Sequence, residues 1–213
     1  GRGLLKSVPP ARISRAALAR YAHVDPSLIR YYFGDRNGLF AQVLLDILAS
    51  MRDARERRSA SQAEPAERFR SRVRDAVRLF REHPHFHELV VDLIFSGRQP
   101  RARAVWRRDV VGASVAEMSQ ILVDGAGRGE FRIVEPRFLH LIMIAGAMYF
   151  SNAPALIEDL FGSGATPEAL EEQFTSFLAD VLLHGIVQAG APVRPTKLES
   201  TANSRSSAKK ASR

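Results

Sequence analysis

The stretch that most constrains the fold of this chain is residues 13–40. Apolar residues recur at helical spacing over residues 13–22, and a second apolar pattern follows at residues 28–33. Asp25 and Pro26 precede the second pattern, and these residue types are preferred at the N-cap and the first position of a helix. A helix of about two turns is not stable alone in water, so its neighbours must hold it. This arrangement is typical of a helix-turn-helix, whose second helix enters the DNA major groove.

Several short groups of residues in this stretch form a more specific pattern. They are Leu18-Ala19, Ala22-His23-Val24-Asp25, Ile29-Arg30-Tyr31-Tyr32-Phe33 and Leu39-Phe40. Their order and spacing resemble the DNA-binding domain of TetR-family repressors. The resemblance implies an all-α protein. In such a protein an N-terminal helix-turn-helix domain precedes a C-terminal helical-bundle domain that binds a ligand and forms the dimer.

Four residues depart from the pattern of that family. His23 stands where glycine is usual, and Asp25 stands where serine is usual. Aspartate keeps a capping oxygen, and histidine adopts a positive φ more readily than most side chains. Arg36 replaces a lysine and keeps a charge that attracts phosphate. Arg30 replaces a tyrosine, and we expect this change to alter which phosphate or base the position contacts.

The distribution of charge favours a nucleic-acid partner. The net charge is +8, and it is concentrated at the two ends of the chain. Residues 1–58 contain eleven Lys/Arg and five Asp/Glu, residues 59–190 contain fourteen and seventeen, and residues 191–213 contain six and one. Two basic ends around a mildly acidic body are typical of a polyanion-binding protein. A surface tuned only for solubility is the alternative.

Cysteine is absent from the 213 residues. Its absence excludes disulfides, thiolate catalysis and cysteine zinc sites, and it fits a reducing cytoplasm. The longest apolar run, residues 138–150, is interrupted by His140 and is too short to span a bilayer. No membrane partner is therefore predicted.

The remainder of the chain has helical periodicity, and no strand is predicted. The segment 138–150 is apolar nearly all round, which predicts burial on more than one side. The arginines near residues 66–82 are predicted to lie mostly on the outside. Further helices are predicted over residues 39–58, 84–94, 105–124, 155–161 and 167–186. The resulting domains are a helix-turn-helix domain (1–48), an effector-binding and dimerisation domain (49–190) and a disordered basic tail (191–213).

The start of the chain also carries an expectation. The sequence opens at Gly1 rather than at methionine. In the family register, Leu4-Leu5 would lie near the end of a first helix, so we expect that helix to be truncated here.

The candidate DNA contacts are polar or basic side chains near the two short helices. Arginine and tyrosine can reach phosphate oxygens, and arginine can also form a bidentate contact with guanine. Leu28 can contact only a thymine methyl group. The predicted contacts are Ser14, Arg15, Ser27, Leu28, Arg30, Tyr31, Tyr32 and Arg36. These side chains could instead serve only packing and solubility.

The resemblance also implies an effector pocket and a dimer interface in the helical body. Aromatic residues and methionines are the candidates for a pocket that takes a small apolar effector: Phe86, Phe95, Trp106, Met118, Met143, Met148, Tyr149 and Phe150. The wide apolar stripe of the last helix is the candidate interface of a homodimer: Leu170, Phe174, Phe177, Leu178, Val181 and Leu182. A plain helical core is the alternative for both sets.

Other motifs favour neither catalysis nor a cofactor. Three histidines at residues 83–87 are suitable metal ligands, but their spacing favours a polar helix start, so no metal site is predicted. The glycines of residues 125–129 follow a helix rather than a strand, which favours a helix end over a phosphate loop. No catalytic constellation is recognisable. The predicted function is a ligand-released repressor that binds double-stranded operator DNA. A small-molecule-binding or scaffold protein with a degenerate head, and an enzyme built on the body, remain alternatives.

Overall fold

The computed structural model describes residues 3–59, 63–97, 99–164 and 166–187. This part of the chain is all-α, as predicted, and it contains one isolated antiparallel bridge between Phe131 and Val187 but no β-strand. Short 3₁₀ turns occupy Leu4–Lys6, Pro10–Arg12 and Gly162–Gly164. The α-helices of the described residues are α1 (Arg15–Ala22), α2 (Pro26–Phe33), α3 (Arg36–Ser59), α4 (Pro65–Glu82), α5 (Phe86–Val90), α6 (Pro100–Val105), α7 (Ala113–Gly127), α8 (Pro136–Asn152), α9 (Pro154–Phe161) and α10 (Pro167–Ile186).

The two short N-terminal helices begin where their capping residues predict. The Ser14 Oγ accepts a hydrogen bond from the backbone N–H of Ala17 at 3.1 Å. The Asp25 Oδ1 accepts one from the backbone N–H of Ser27 at 2.7 Å. His23 lies between the helices at φ +53°, the left-handed region. The expected positive φ at this non-glycine position is therefore confirmed.

Helix α3 begins at Arg36, three residues earlier than the predicted start at Leu39. Gly38 therefore lies inside the first turn. A Cβ at Gly38 would lie 1.9 Å from the carbonyl oxygen of Phe33, so only glycine fits there. The Asp35 Oδ1 accepts a hydrogen bond from the Gly38 N–H at 2.7 Å. Close packing against the end of α2, rather than a turn, explains this glycine.

Helix α4 is the centre of the body. It packs against α3, α7, α8 and α10. Phe69, Val73, Val77 and Phe80 are almost completely buried along its length. Burying an aliphatic or aromatic side chain of this size contributes about 1.5–3 kcal/mol, so this helix organises the core.

Two helices of the body continue as π-helix. Helix α5 runs into a π-helical segment at Val91–Phe95, and α6 runs into another at Trp106–Gly112 that leads to α7. The sequence predicted ordinary helices over both regions. A π-turn inserts an additional residue and shifts the apolar face, which a search for 3.6-residue periodicity does not detect.

The prediction that segment 138–150 is buried on more than one side is wrong for the single chain. Helix α8 buries Leu139, Met143 and Ala147 against the body. Its opposite side is exposed, with Phe138 at 67% and Tyr149 at 62%. Nothing in the described part of one chain covers that apolar side.

The end of α7 confirms that the glycines of residues 125–129 close a helix. The backbone N–H of Glu130 donates to the carbonyl oxygen of Gly125 at 2.9 Å, and Gly129 has φ +73°. A Cβ at Gly125 would lie 2.2 Å from the ring of Phe131. The glycines therefore permit a tight turn and close packing of an aromatic ring.

A buried ionic cluster links four helices. Arg72 and Glu117 are 4% and 7% exposed, and the Arg72 guanidinium is hydrogen-bonded to the Glu117 carboxylate. The same carboxylate accepts from Arg58 Nε at 2.7 Å. Arg72 Nη2 also lies 3.0 Å from the carbonyl oxygen of Ser114 and 3.1 Å from His140 Nδ1. Arg72 is thus an exception to the prediction that the arginines of α4 lie outside.

In the described residues, no single helix combines the length and the apolar composition that crossing a membrane requires. Helices α8 and α9 meet that criterion only as a pair, and they are bent by 83° where they meet.

We predict that His140 makes stability pH-dependent. Burial, together with the positive charge of Arg72, lowers the pKa of His140 from its ordinary value of 6.5 to about 4. The unfolded chain therefore binds a proton between these values while the folded chain does not. The stability of the neutral form is complete above pH 6.5 and is lost as the pH falls toward 4.

Urea unfolding at a series of pH values tests this prediction. The free energy of unfolding of the wild type should fall more steeply between pH 7 and pH 5 than that of His140→Gln, which can still accept from Arg72. Equal slopes for the two proteins would show that His140 does not contribute.

Candidate DNA interface

Helix α2 is held by one buried side chain, and most of its other side chains are exposed to solvent. Ile29 is 4% exposed, whereas Tyr31 and Tyr32 are 80% and 70% exposed. The helix packs against α1 and α3, which also supply the cover for Ile29. Such an exposed short helix fixed by two neighbours is the geometry that insertion into a major groove requires.

The exposed side of α2 carries groups that suit DNA. The rings of Tyr31 and Tyr32 meet edge to face, with centroids 5.0 Å apart. Arg30 is also exposed. Leu28, in the first turn, is 43% exposed. Phe33, the last residue of α2, is 39% exposed.

Three of the predicted contacts lie at the starts of helices. Ser14 and Arg15 are exposed at the start of α1. The Ser14 oxygen accepts the capping hydrogen bond, and its O–H remains able to donate to a phosphate. Ser27 is exposed, but hydrogen bonds from its side chain and backbone N–H to Asp25 lower the pKa of that carboxyl group. Ser27 thus serves the cap of α2 as well.

The structure shows a role of Arg36 that was not predicted. Its Nη1 donates to the carbonyl oxygens of Pro10 and Ile13 at 3.3 and 3.2 Å. Its guanidinium also lies over the Phe40 ring, 5.6 Å from the centroid. These contacts direct the charge into the protein, where it ties the segment before α1 to the start of α3. Arg36 therefore supports the head from within, and its contact with a phosphate stays a prediction.

Arg12 was not among the predicted contacts. It is exposed in the 3₁₀ turn that precedes Ser14 and Arg15. Its position immediately before the start of α1 is the signal that sequence reasoning overlooked.

The proposed pocket residues do not form one cavity in this structure. Phe86 is buried and its ring centroid lies 6.1 Å from that of the half-buried Trp106. Met118 and Met143 are also buried. Phe95 is 61% exposed, on the π-helical segment that follows α5.

The other pocket candidates lie toward α10. Met148 is partly buried, and Tyr149 is exposed on the outer side of α8. The Phe150 ring stacks on Phe174, with centroids 4.1 Å apart. Phe150 thus contacts a member of the predicted dimer interface.

The predicted interface on α10 divides into two sides. Leu178 and Leu182 are buried against the body, and Leu170 and Phe174 are partly buried. Phe177 and Val181 are 66% and 50% exposed. The exposed residues of α8 add to this apolar surface.

The histidines of residues 83–87 bring together only a small polar group. His85 Nδ1 lies 2.9 Å from the Glu88 carboxylate. Among the residues that the structure describes, no group of three or more His, Asp or Glu is placed to hold a metal ion.

Comparison with known proteins decides the family. A family model described as "Tetracyclin repressor-like, C-terminal domain" matches residues 65–182, from the first residue of α4 to the last turns of α10. The match covers more than half of the chain. The chain belongs to the TetR family. It is a DNA-binding transcriptional regulator, and the resemblance of its helix-turn-helix to that family is confirmed.

A curated relative and two solved structures illustrate the similarity. The HTH-type transcriptional repressor NicS of Pseudomonas putida is 28% identical over 172 residues, 79% of this chain and 80% of that protein. AibR, solved in complex with isovaleryl coenzyme A and operator DNA, has a TM-score of 0.64 at 14% identity, covering 85% of this chain and 93% of its own.

SmeT, the repressor of the Stenotrophomonas maltophilia multidrug efflux pump SmeDEF, has a TM-score of 0.60 at 15% identity. The alignment covers 92% of this chain and 90% of SmeT. At these identities the two solved structures show a shared fold. The relatives are transcriptional regulators, and none of these three is described as an enzyme.

We predict that Arg30→Ala and Tyr31→Ala each weaken binding to a TetR-type operator by about 1–3 kcal/mol, because each removes an exposed contact from α2. Both variants should unfold at the wild-type temperature, since neither side chain is buried. Electrophoretic mobility shift and thermal unfolding measure the two effects. Arg137→Ala, an exposed arginine at the start of α8, is the control. Unchanged operator affinity in both α2 variants would contradict the assignment.

Proposed function

We propose that this TetR-family chain is a homodimeric repressor that binds a near-palindromic operator and is released by a small molecule. The exposed side of α2, with Arg30, Tyr31 and Tyr32 around a single buried Ile29, is the observation that carries the proposal. The proposed DNA contacts are Ser14, Arg15, Ser27, Leu28, Arg30, Tyr31 and Tyr32.

The apolar surface of α8 and α10 supports the dimer. Phe138, Leu141, Ile142 and Tyr149 recur at helical spacing on α8, and each is more than half exposed. Phe177 lies on the neighbouring α10 and is also exposed. An isolated chain would leave this surface in water, whereas a second copy packed about a two-fold axis would bury it on both sides. Two heads would then read two half-sites.

Helix α3 supports a route from the body to the head. Its first turn holds the head through Arg36. Near its other end, Arg55 donates to the carbonyl oxygen of Asp109 at 2.7 Å, and Arg58 binds Glu117 of α7. An effector that shifts the π-helical segment at Trp106–Gly112 or α7 would therefore shift α3 as well. Release is then a change of population between head orientations, and operator DNA disfavours the effector in turn.

We propose that the effector is small and apolar and binds where the π-helical segments meet the core. The buried Phe86, Met118 and Met143 and the half-buried Trp106 are its nearest candidates. Phe95 lies exposed on one of these π-helical segments, whereas Met148, Tyr149 and Phe150 lie toward α10 and are not part of this proposed site. Methionine and aromatic side chains repack readily around ligands of different shapes.

Selection of bound sequences from random double-stranded DNA tests the DNA part of the proposal. Enrichment of a near-palindrome at raised salt is expected, because only specific contacts persist when phosphate attraction is screened. Binding without any sequence preference would favour the alternative, a small-molecule-binding or scaffold protein with a degenerate head. Repeating the selection with Arg30→Ala shows whether the enrichment of the wild type depends on the contacts of the head.

We predict that Phe177→Arg weakens the dimer, because it places a charge on a surface that the partner would bury. The dissociation constant of the dimer, measured by light scattering and analytical ultracentrifugation, should rise by about tenfold or more. Ile133→Arg is the matched control, since Ile133 is 72% exposed but lies between α7 and α8. A monomeric wild type, or equal effects of the two changes, would contradict the interface.

A further inference from the structure

An arginine-rich groove lies between the last turns of α3 and the first half of α4, far from the head. Its volume is about 410 Å³. Pockets that hold small molecules commonly have volumes of about 300–1,000 Å³. Five arginines line it: Arg57, Arg58, Arg68, Arg74 and Arg78.

The carboxylates near the groove do not balance these arginines. Arg68 pairs with Asp124 and Arg74 pairs with Glu67, each at 2.5 Å. Asp75 is hydrogen-bonded to Arg58 and lies 3.9 Å from Arg78.

In the described part of the chain, the arginines of the groove therefore carry two positive charges that no carboxylate balances. Glu117 shares its charge between Arg58 and the buried Arg72, so it supplies nothing further to the groove. Within the described residues no acidic side chain pairs with Arg57, and the one near Arg78 already serves Arg58. The side chains of Arg57 and Arg78 are exposed, so both can approach a ligand.

The rest of the lining suits phosphate rather than an apolar group. Among the lining residues that the structure describes, the apolar ones are Ala54 and Ala63, and Ser71 adds a hydroxyl donor. Arginine binds phosphate oxygens through paired hydrogen bonds, which favours this ligand further.

We propose that this groove binds the diphosphate group of a small molecule, either free pyrophosphate or the diphosphate end of an organic compound. Arg57 and Arg78 supply the two uncompensated charges. The organic part, where one is present, lies outside the groove. This site is distinct from the apolar effector site proposed above, and its existence does not depend on that function.

The groove is also too far from the recognition helix to be part of the same DNA footprint. Arg57 follows Arg36 by twenty-one residues on one continuous helix, which corresponds to about 30 Å. Operator binding is therefore expected to be unchanged when the groove arginines are replaced.

Calorimetric titration of the full chain with inorganic pyrophosphate tests the proposal. We expect saturable binding of one pyrophosphate per protomer, weakened about tenfold or more in the double variant Arg57→Ser/Arg78→Ser. The control is Arg101→Ser/Arg103→Ser, which removes the same charge from exposed positions of α6 and should change the affinity by less than about twofold. Thermal unfolding verifies that both double variants fold.

The alternatives give distinct results. Absence of saturable binding, or equal weakening in both double variants, would overturn the proposal, because a basic protein attracts anions without a site. Weaker DNA binding by Arg57→Ser/Arg78→Ser, together with no pyrophosphate binding, would assign the groove to nucleic acid instead and would also overturn it. Titration with ADP separates the two sources: an affinity similar to that of pyrophosphate indicates an organic diphosphate, and a much lower affinity restricts the site to free pyrophosphate.

Discussion

The Glu117 carboxylate is the interaction on which the body of this protein depends. It accepts from Arg58 of α3 and Arg72 of α4, and Arg72 continues the contact to His140 of α8. Leaving a buried charge without its partner costs about 3–5 kcal/mol, so these helices are held in one arrangement by a single side chain of α7. Apolar packing supplies most of the stability, but it is not directional. The hydrogen bonds to a shared carboxylate are directional, so they fix how the helices are oriented relative to one another. The proposed route from the body to the head begins at this cluster.

The parts of the fold that depend on local chemistry were predictable from sequence. The caps at Ser14 and Asp25 and the bounds of Pro167–Ile186 agree with the structure because propensity and capping act within a few residues. The early start of α3 was not predictable, since Gly38 is explained by its approach to Phe33. The π-helical segments were also not predicted. One additional residue displaces the apolar positions no more than the ordinary irregularity of a helical sequence pattern does.

In the candidate DNA interface, too, some features were predictable from the sequence and others were not. Exposure of Tyr31 and Tyr32 followed from the position of Ile29 on a short helix. The inward role of Arg36 did not, because its carbonyl partners come from a segment more than twenty residues away. The proposed pocket residues share a chemical type but are dispersed over several helices. The exposed side of α8 has a sequence indistinguishable from that of a core helix, so its composition did not reveal that it is exposed in the single chain.

The continuity of α3 has a mechanical consequence. Twenty-four residues form a rigid rod of about 36 Å, with the ionic cluster near one end and the recognition helix packed at the other. A tilt of about 10° at the cluster would displace the far end by about 6 Å, close to the rise of two base pairs of DNA at about 3.4 Å each. In the proposed homodimer the two displacements would add. Motions smaller than a side chain in the body would then decide whether the two heads match the pitch of a double helix.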